Sequence, residues 1–156
     1  MTTGAWIAIA AVAIAVAFGL YRAATDGRFT GTKAMKQAKG AEPGHEDAGS
    51  ETPVINLLAG TPWADELGER ATLLQFSSAF CAPCRATRRI LTDVAAARPD
   101  VAHIEVDAEQ HLDVVRRLDI LRTPTTIVLD PQGRELVRAS GAPTAAQVVA
   151  SLPAQG

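Results

Sequence analysis

Apolar and polar positions divide this chain into two unlike stretches. From Thr2 to Tyr21 no charge interrupts a run that includes Ile7, Ile9, Val12, Ile14, Val16, Phe18 and Leu20. That pattern predicts a helix of just sufficient length to span a bilayer. From Pro53 onward, short apolar runs of strand length alternate with amphipathic stretches of helical period, which predicts an α/β domain.

Within that domain Val54–Leu58 predicts a first strand, Pro62–Leu67 a short helix and Leu73–Phe76 a central strand. A helix then keeps Thr87, Ile90, Leu91 and Val94 on one face and Arg85, Arg88 and Arg89 on another, and Pro99 stops it. Val101–Val106 predicts a strand. Asp107 with Gln110 predicts a capping box for a helix running through Leu118, with Leu112, Val115 and Leu118 as its apolar stripe. Thr125–Leu129 and Glu135–Ala139 read as a hairpin across Asp130-Pro131-Gln132-Gly133, and Thr144–Leu152 as a last helix.

Between the two stretches, Gly27 to Thr52 has no apolar period and passes from basic (Lys33, Lys36, Lys39) to acidic (Glu42, Glu46, Asp47, Glu51). It reads as a flexible tether. The expected organisation is thus an N-terminal anchor at 1–26, a linker at 27–52 and one α/β domain at 53–156. A cleaved signal peptide is the rival for the first segment. It fits less well, because no Lys or Arg precedes the apolar run and no clear small-residue cleavage site follows it. Arg22, Arg28 and the three lysines after the run predict a single-pass protein at the cell membrane with its domain on the cytoplasmic side.

The formal net charge of -2 gives no electrostatic support for nucleic-acid binding, and no phosphate-binding glycine loop appears. Candidate chemistry lies in the only two cysteines, Cys81 and Cys84, in Cys81-Ala82-Pro83-Cys84. Residues three apart lie on one helix face, so the two sulfurs can bond and part with little backbone movement. A loop this short adds only roughly 2 kcal/mol as a staple, which argues against a static clip. A zinc site needs four ligands, and His45, His103 and His111 do not form a second ligand pair. The strand before the motif and the helix after it put Cys81 at a helix N-terminus, where backbone N–H groups, the dipole and Arg85 favour thiolate.

Residues Pro53 to Gly156 resemble the thioredoxin family. The resemblance is carried by Gln75 to Phe80 leading into Cys-Ala-Pro-Cys, then by Val106-Asp107, Thr123-Pro124-Thr125, Asp130-Pro131-Gln132-Gly133 and Gly141-Ala142 in the family's order and spacing. It implies a thioredoxin fold, a central mixed β-sheet flanked by helices, here behind a membrane anchor and linker. It also implies thiol–disulfide exchange, with Cys81 as nucleophile, Cys84 as resolving thiol and a cis Thr123–Pro124 bond facing them. In that family a Pro before the second cysteine goes with the reducing direction, and oxidation or isomerisation of client disulfides is the alternative.

Clients are expected against Phe80, Ala82, Pro83, Thr123, Pro124 and Gly141. The resemblance predicts client proteins bearing disulfides or thiols, an electron donor such as a reductase, and membrane lipid around residues 2–21. No metal and no cofactor beyond the sulfurs is expected. The alternative is a non-catalytic client-binding module. Two positions depart from the family pattern. Gln75 stands where a buried Asp is common and His103 where a Lys faces it, so His103 is the candidate proton acceptor or relay for Cys84.

Overall fold

The computed structural model describes residues 3–25, 27–31 and 56–154. Its elements are α1 (Thr3–Thr25), β1 (Phe29–Gly31), β2 (Ala71–Ser77), α2 (Ala82–Ala96), β3 (Val101–Asp107), α3 (Leu112–Arg117), β4 (Thr125–Leu129), β5 (Glu135–Ser140) and α4 (Ala145–Ser151). The strands form one mixed sheet in the order β1-β5-β4-β2-β3, with β2 parallel to β3 and the other pairs antiparallel.

Every residue of β2 is buried, as expected of a strand paired on both edges and covered on both faces. Strand alternation sorts its side chains into two cores. Leu74 and Phe76 join Ile104, Val106, Ile127 and Leu129 on one face, closed by Val114 and Leu118. Ala71 and Leu73 join Val101, Val128 and Val137 on the other, closed by Leu91 and Val94 of α2 and Val148 of α4. At roughly 25 cal/mol per Å² of apolar surface, these cores drive the fold. Thr144 caps α4 through a reciprocal box with Gln147.

The hairpin turn and the last helix fall where the sequence places them. Asp130 accepts from the backbone N–H groups of Gln132 and Arg134, both at 2.9 Å, and Gly133 takes φ 76°. Other expectations are corrected. Pro62–Asp65 forms turns and Glu66–Leu67 no regular element, where a helix is expected. The predicted first strand falls partly outside the described residues, and Leu57–Gly60 forms turns. Asp107 bonds Gln110, yet α3 starts only at Leu112 because Asp107 also accepts from the N–H of Glu109 and so stabilises a turn. Leu112 consequently points outward and Val114 takes its core place.

Two corrections concern the front of the chain. Residues 29–31, read as tether, pair with β5 as an edge strand, Phe29 opposite Ala139 and Gly31 opposite Val137. The rest of the tether, 32–52, lies outside the described residues. The expected bilayer span is also corrected, because among the described residues no helix is long and apolar enough to cross a membrane.

Candidate active site

The cysteine pair sits where β2 ends and α2 begins. The chain leaves the sheet at Ser77, crosses Ser78, Ala79 and a fully exposed Phe80, and enters α2 with Cys81 as N-cap in extended conformation. Pro83 occupies the first turn, where an N–H would have no helical partner, so its ring is accommodated without loss. Cys81 and Cys84 are joined as a disulfide with Cα atoms 5.2 Å apart.

The two sulfurs have different surroundings. Cys81 is half-buried, between exposed Phe80 and exposed Ala82 and Pro83. Cys84 is 2% exposed. The backbone N–H of Cys84 donates to Cys81 Sγ at 3.1 Å, so the first sulfur is the acceptor that an N-cap side chain supplies. On reduction this donor and the helix dipole favour a thiolate at Cys81.

The loops around the pair are braced together. Thr123–Pro124 is a cis peptide, as the resemblance implies, and Pro124 is buried. The hydroxyls of Ser78 and Thr123 are hydrogen-bonded at 3.0 Å, which ties the pre-cysteine loop to the cis-proline loop. The Gly141 N–H donates to the Pro124 carbonyl at 2.8 Å. Arg122 Nη2 donates to Ser140 at 2.5 Å, and the Gly27 N–H donates to the same carbonyl at 3.1 Å. Of the residues expected to meet clients, Thr123, Pro124 and Gly141 are thus brought together by hydrogen bonds, and Phe80, Ala82 and Pro83 project from the cysteine loop.

Beneath Cys84 lies a residue that the sequence marked only as a departure. Gln75 is fully buried and its Nε2 donates to the Cys84 carbonyl at 3.1 Å. His103 Nε2 stands 3.3 Å from Gln75 Oε1, and its Nδ1 stands 3.2 Å from Thr92 Oγ1. His103 therefore meets Gln75 rather than a sulfur. Burial pushes its imidazole below the ordinary histidine value, with Glu105 opposing that shift and Arg88 adding to it. Register explains the contact, since Leu73 faces His103 and Gln75 faces Glu105 across β2 and β3. His111 instead sets its ring edge against Trp63, with centroids 4.8 Å apart.

The site is completed by a charged wall that the sequence reading missed. Glu105 accepts from Ser77 Oγ at 2.6 Å and pairs with Arg88, Nη2 at 2.7 Å and Nε at 2.5 Å. The signal was available in the alternation of β3, which puts His103, Glu105 and Asp107 on one face, and in Arg88 one turn beyond Cys84.

A mixed sheet with a half-buried and a fully buried cysteine joined at a strand-to-helix junction beside a cis-proline loop defines a thioredoxin-type redox domain. The chain belongs to the thioredoxin family: the family model described as Thioredoxin matches residues 54–154. A similar curated protein is Thioredoxin H2-1 of Oryza sativa subsp. japonica, 28% identical over 107 residues, covering 65% of this chain and 76% of that protein.

Human Thioredoxin domain-containing protein 2 is 38% identical over 60 residues, which is 38% of this chain and 11% of the human protein's length. Among solved structures, Fasciola hepatica thioredoxin is 24% identical at TM-score 0.50, covering 55% of this chain and 81% of that one. That last likeness shows the fold. The family and its cysteine pair together support a thiol–disulfide oxidoreductase at a general level.

Proposed function

We propose that this chain reduces disulfides in client proteins through Cys81 and Cys84. The observation that carries the reading is the asymmetry of the pair: one cysteine is half-buried with its sulfur held as a helix N-cap, and the other is buried one turn on. In the reduced protein the Cys81 thiolate attacks a client disulfide, forming a mixed disulfide and releasing one client thiolate. Cys84 then attacks Cys81 Sγ. The second client sulfur leaves, the client has gained two electrons, and the protein is left oxidised until a reductase or other dithiol donor restores it.

Clients are held as an extended segment beside Thr123–Pro124, with Phe80, Ala82, Pro83 and Gly141 around it. The exposure of Phe80 and the bracing of the cis-proline loop support that placement. His103 acts on Cys84 through Gln75. No cofactor beyond the sulfurs enters the cycle.

The reading extends to lipid. Trp6, Ile7, Val12, Ile14, Phe18 and Leu20 are all largely exposed around α1, and a helix apolar on every side calls for an apolar surrounding. Contact of α1 with membrane lipid, with the domain on the cytoplasmic side that the basic residues favour, is the proposed localisation.

Reduction of insulin disulfides by the full chain, recycled with dithiothreitol, tests the activity. Turbidity is expected to appear with wild type and to be lost in Cys81→Ser. An equal rate with Cys81→Ser assigns the domain to client binding without catalysis. Flotation with phosphatidylglycerol-containing vesicles tests the lipid contact, and protein left at the bottom of the gradient rejects it.

A further inference from the structure

The second step of exchange must remove a proton from Cys84. When Cys84 attacks Cys81 Sγ, the Cys81–client bond breaks, the Cys81–Cys84 bond forms, the client sulfur leaves as thiolate and the Cys84 proton must go elsewhere. The buried side chain bonded to the Cys84 backbone is Gln75, whose amide takes no proton at neutral pH.

The hydrogen-bond chain fixes what each group offers. Gln75 Nε2 donates to the Cys84 carbonyl, so Gln75 Oε1 is the acceptor that faces His103. His103 Nε2 therefore carries the hydrogen it gives to Gln75, and in the neutral ring Nδ1 accepts from the Thr92 hydroxyl. Both ring nitrogens are engaged, and neither presents a lone pair to the sulfur.

Cys84 also lines a polar pocket of about 350 Å³, together with Ser77, Ser78, Arg85, Arg88, Glu105 and Asp107 among others. Arg85 and Arg88 are exposed at its rim. The charged or titratable groups around Cys84 are thus Cys81, Arg85 and Arg88 on its own helix and His103, Glu105 and Asp107 from β3. β2 contributes Gln75 and Ser77, which carry no charge.

We propose that Cys84 releases its proton to solvent through this pocket, and that Gln75, oriented by His103 and Thr92, is a positioning residue forming a neutral hydrogen-bonded floor. The inference rests on the redox reading above and assigns His103 a structural donor's part in it instead of a base's. Its consequence is specific: an amide donor at position 103 replaces the imidazole, whereas a base would have no such substitute.

Resolution of a preformed mixed disulfide, followed from pH 5 to 9 in the full chain, tests the idea. His103→Ala is expected to slow resolution by about three- to ten-fold, the worth of one net hydrogen bond, without moving the pH inflection. His103→Gln is expected to recover most of that loss. If His103→Gln is as slow as His103→Ala and both shift or lose the inflection, His103 is the base and the proposal is wrong.

Nitrogen NMR of the oxidised protein gives a readout independent of turnover. A neutral Nε2–H tautomer is expected, and an Nδ1–H tautomer overturns the chain. Wild type inert towards every disulfide, with the expected tautomer intact, would remove the redox reading while leaving the floor in place.

Discussion

The backbone N–H of Gly27 donates to the carbonyl of Ser140 at 3.1 Å, so the chain joins the sheet at its disulfide-bearing end directly after α1. Gly27 adopts φ 70°, and a Cβ there would lie 2.2 Å from the Ala142 carbonyl oxygen. Only glycine meets both conditions without displacement of backbone. Gly27→Val is expected to unseat β1 and lower stability by about 2 kcal/mol or more, read as a drop in the denaturation midpoint. An unchanged midpoint would show that β1 contributes nothing to the folded domain.

His103 links stability to pH. Its folded value is lowered by burial, so in the window below about 6.5 the unfolded chain binds a proton that the folded chain does not. Stability contributed by this group is complete above that window and falls as pH drops through it. Chemical denaturation at pH 7.5 and 5.5 is expected to show a larger loss in wild type than in His103→Gln.

Asp130 is 6% exposed and accepts from two backbone N–H groups and from Arg134 Nε at 2.5 Å. Asp130→Ala leaves those two amides without their acceptor at a tight turn. A loss of about 2 kcal/mol is expected in urea unfolding, because hydrogen bonds to charged groups exceed neutral ones. The site is remote from the sulfurs in sequence and hydrogen bonding, and the exchange rate is expected to hold.

Thr126 presents the opposite case. Its side chain is fully buried, and its hydroxyl has no hydrogen-bond partner among the described residues. Thr126→Val keeps the shape and removes an unpaired polar atom, so a gain of about 1 kcal/mol is expected from thermal or urea unfolding. Destabilisation would show that the hydroxyl is satisfied in solution.

The legible parts of the sequence were those with strong local signals. Short, largely apolar runs set β2 and β4, a proline–glycine turn set the β4–β5 hairpin, and the cysteine spacing set the centre. β1 escaped because three residues, Phe29 to Gly31, are too few to show alternation, and their pairing with β5 is made across more than a hundred intervening residues.

The segment Pro62–Leu67 misled because helical spacing of Trp63 and Leu67 also suits a turn that packs both against the core beneath it. Gln75 was visible as a departure, but its role was not. That role depends on register, which sets its amide between Cys84 and His103 across elements far apart in sequence.

Trapping of the mixed disulfide tests the central claim most directly. Full-length Cys84→Ala, reduced and mixed with a disulfide-bearing protein such as insulin, is expected to accumulate a covalent adduct at Cys81 that dithiothreitol dissolves, while Cys81→Ala accumulates none. Equal adduct from both variants, or none from either, would contradict an accessible nucleophile paired with a sheltered resolving thiol.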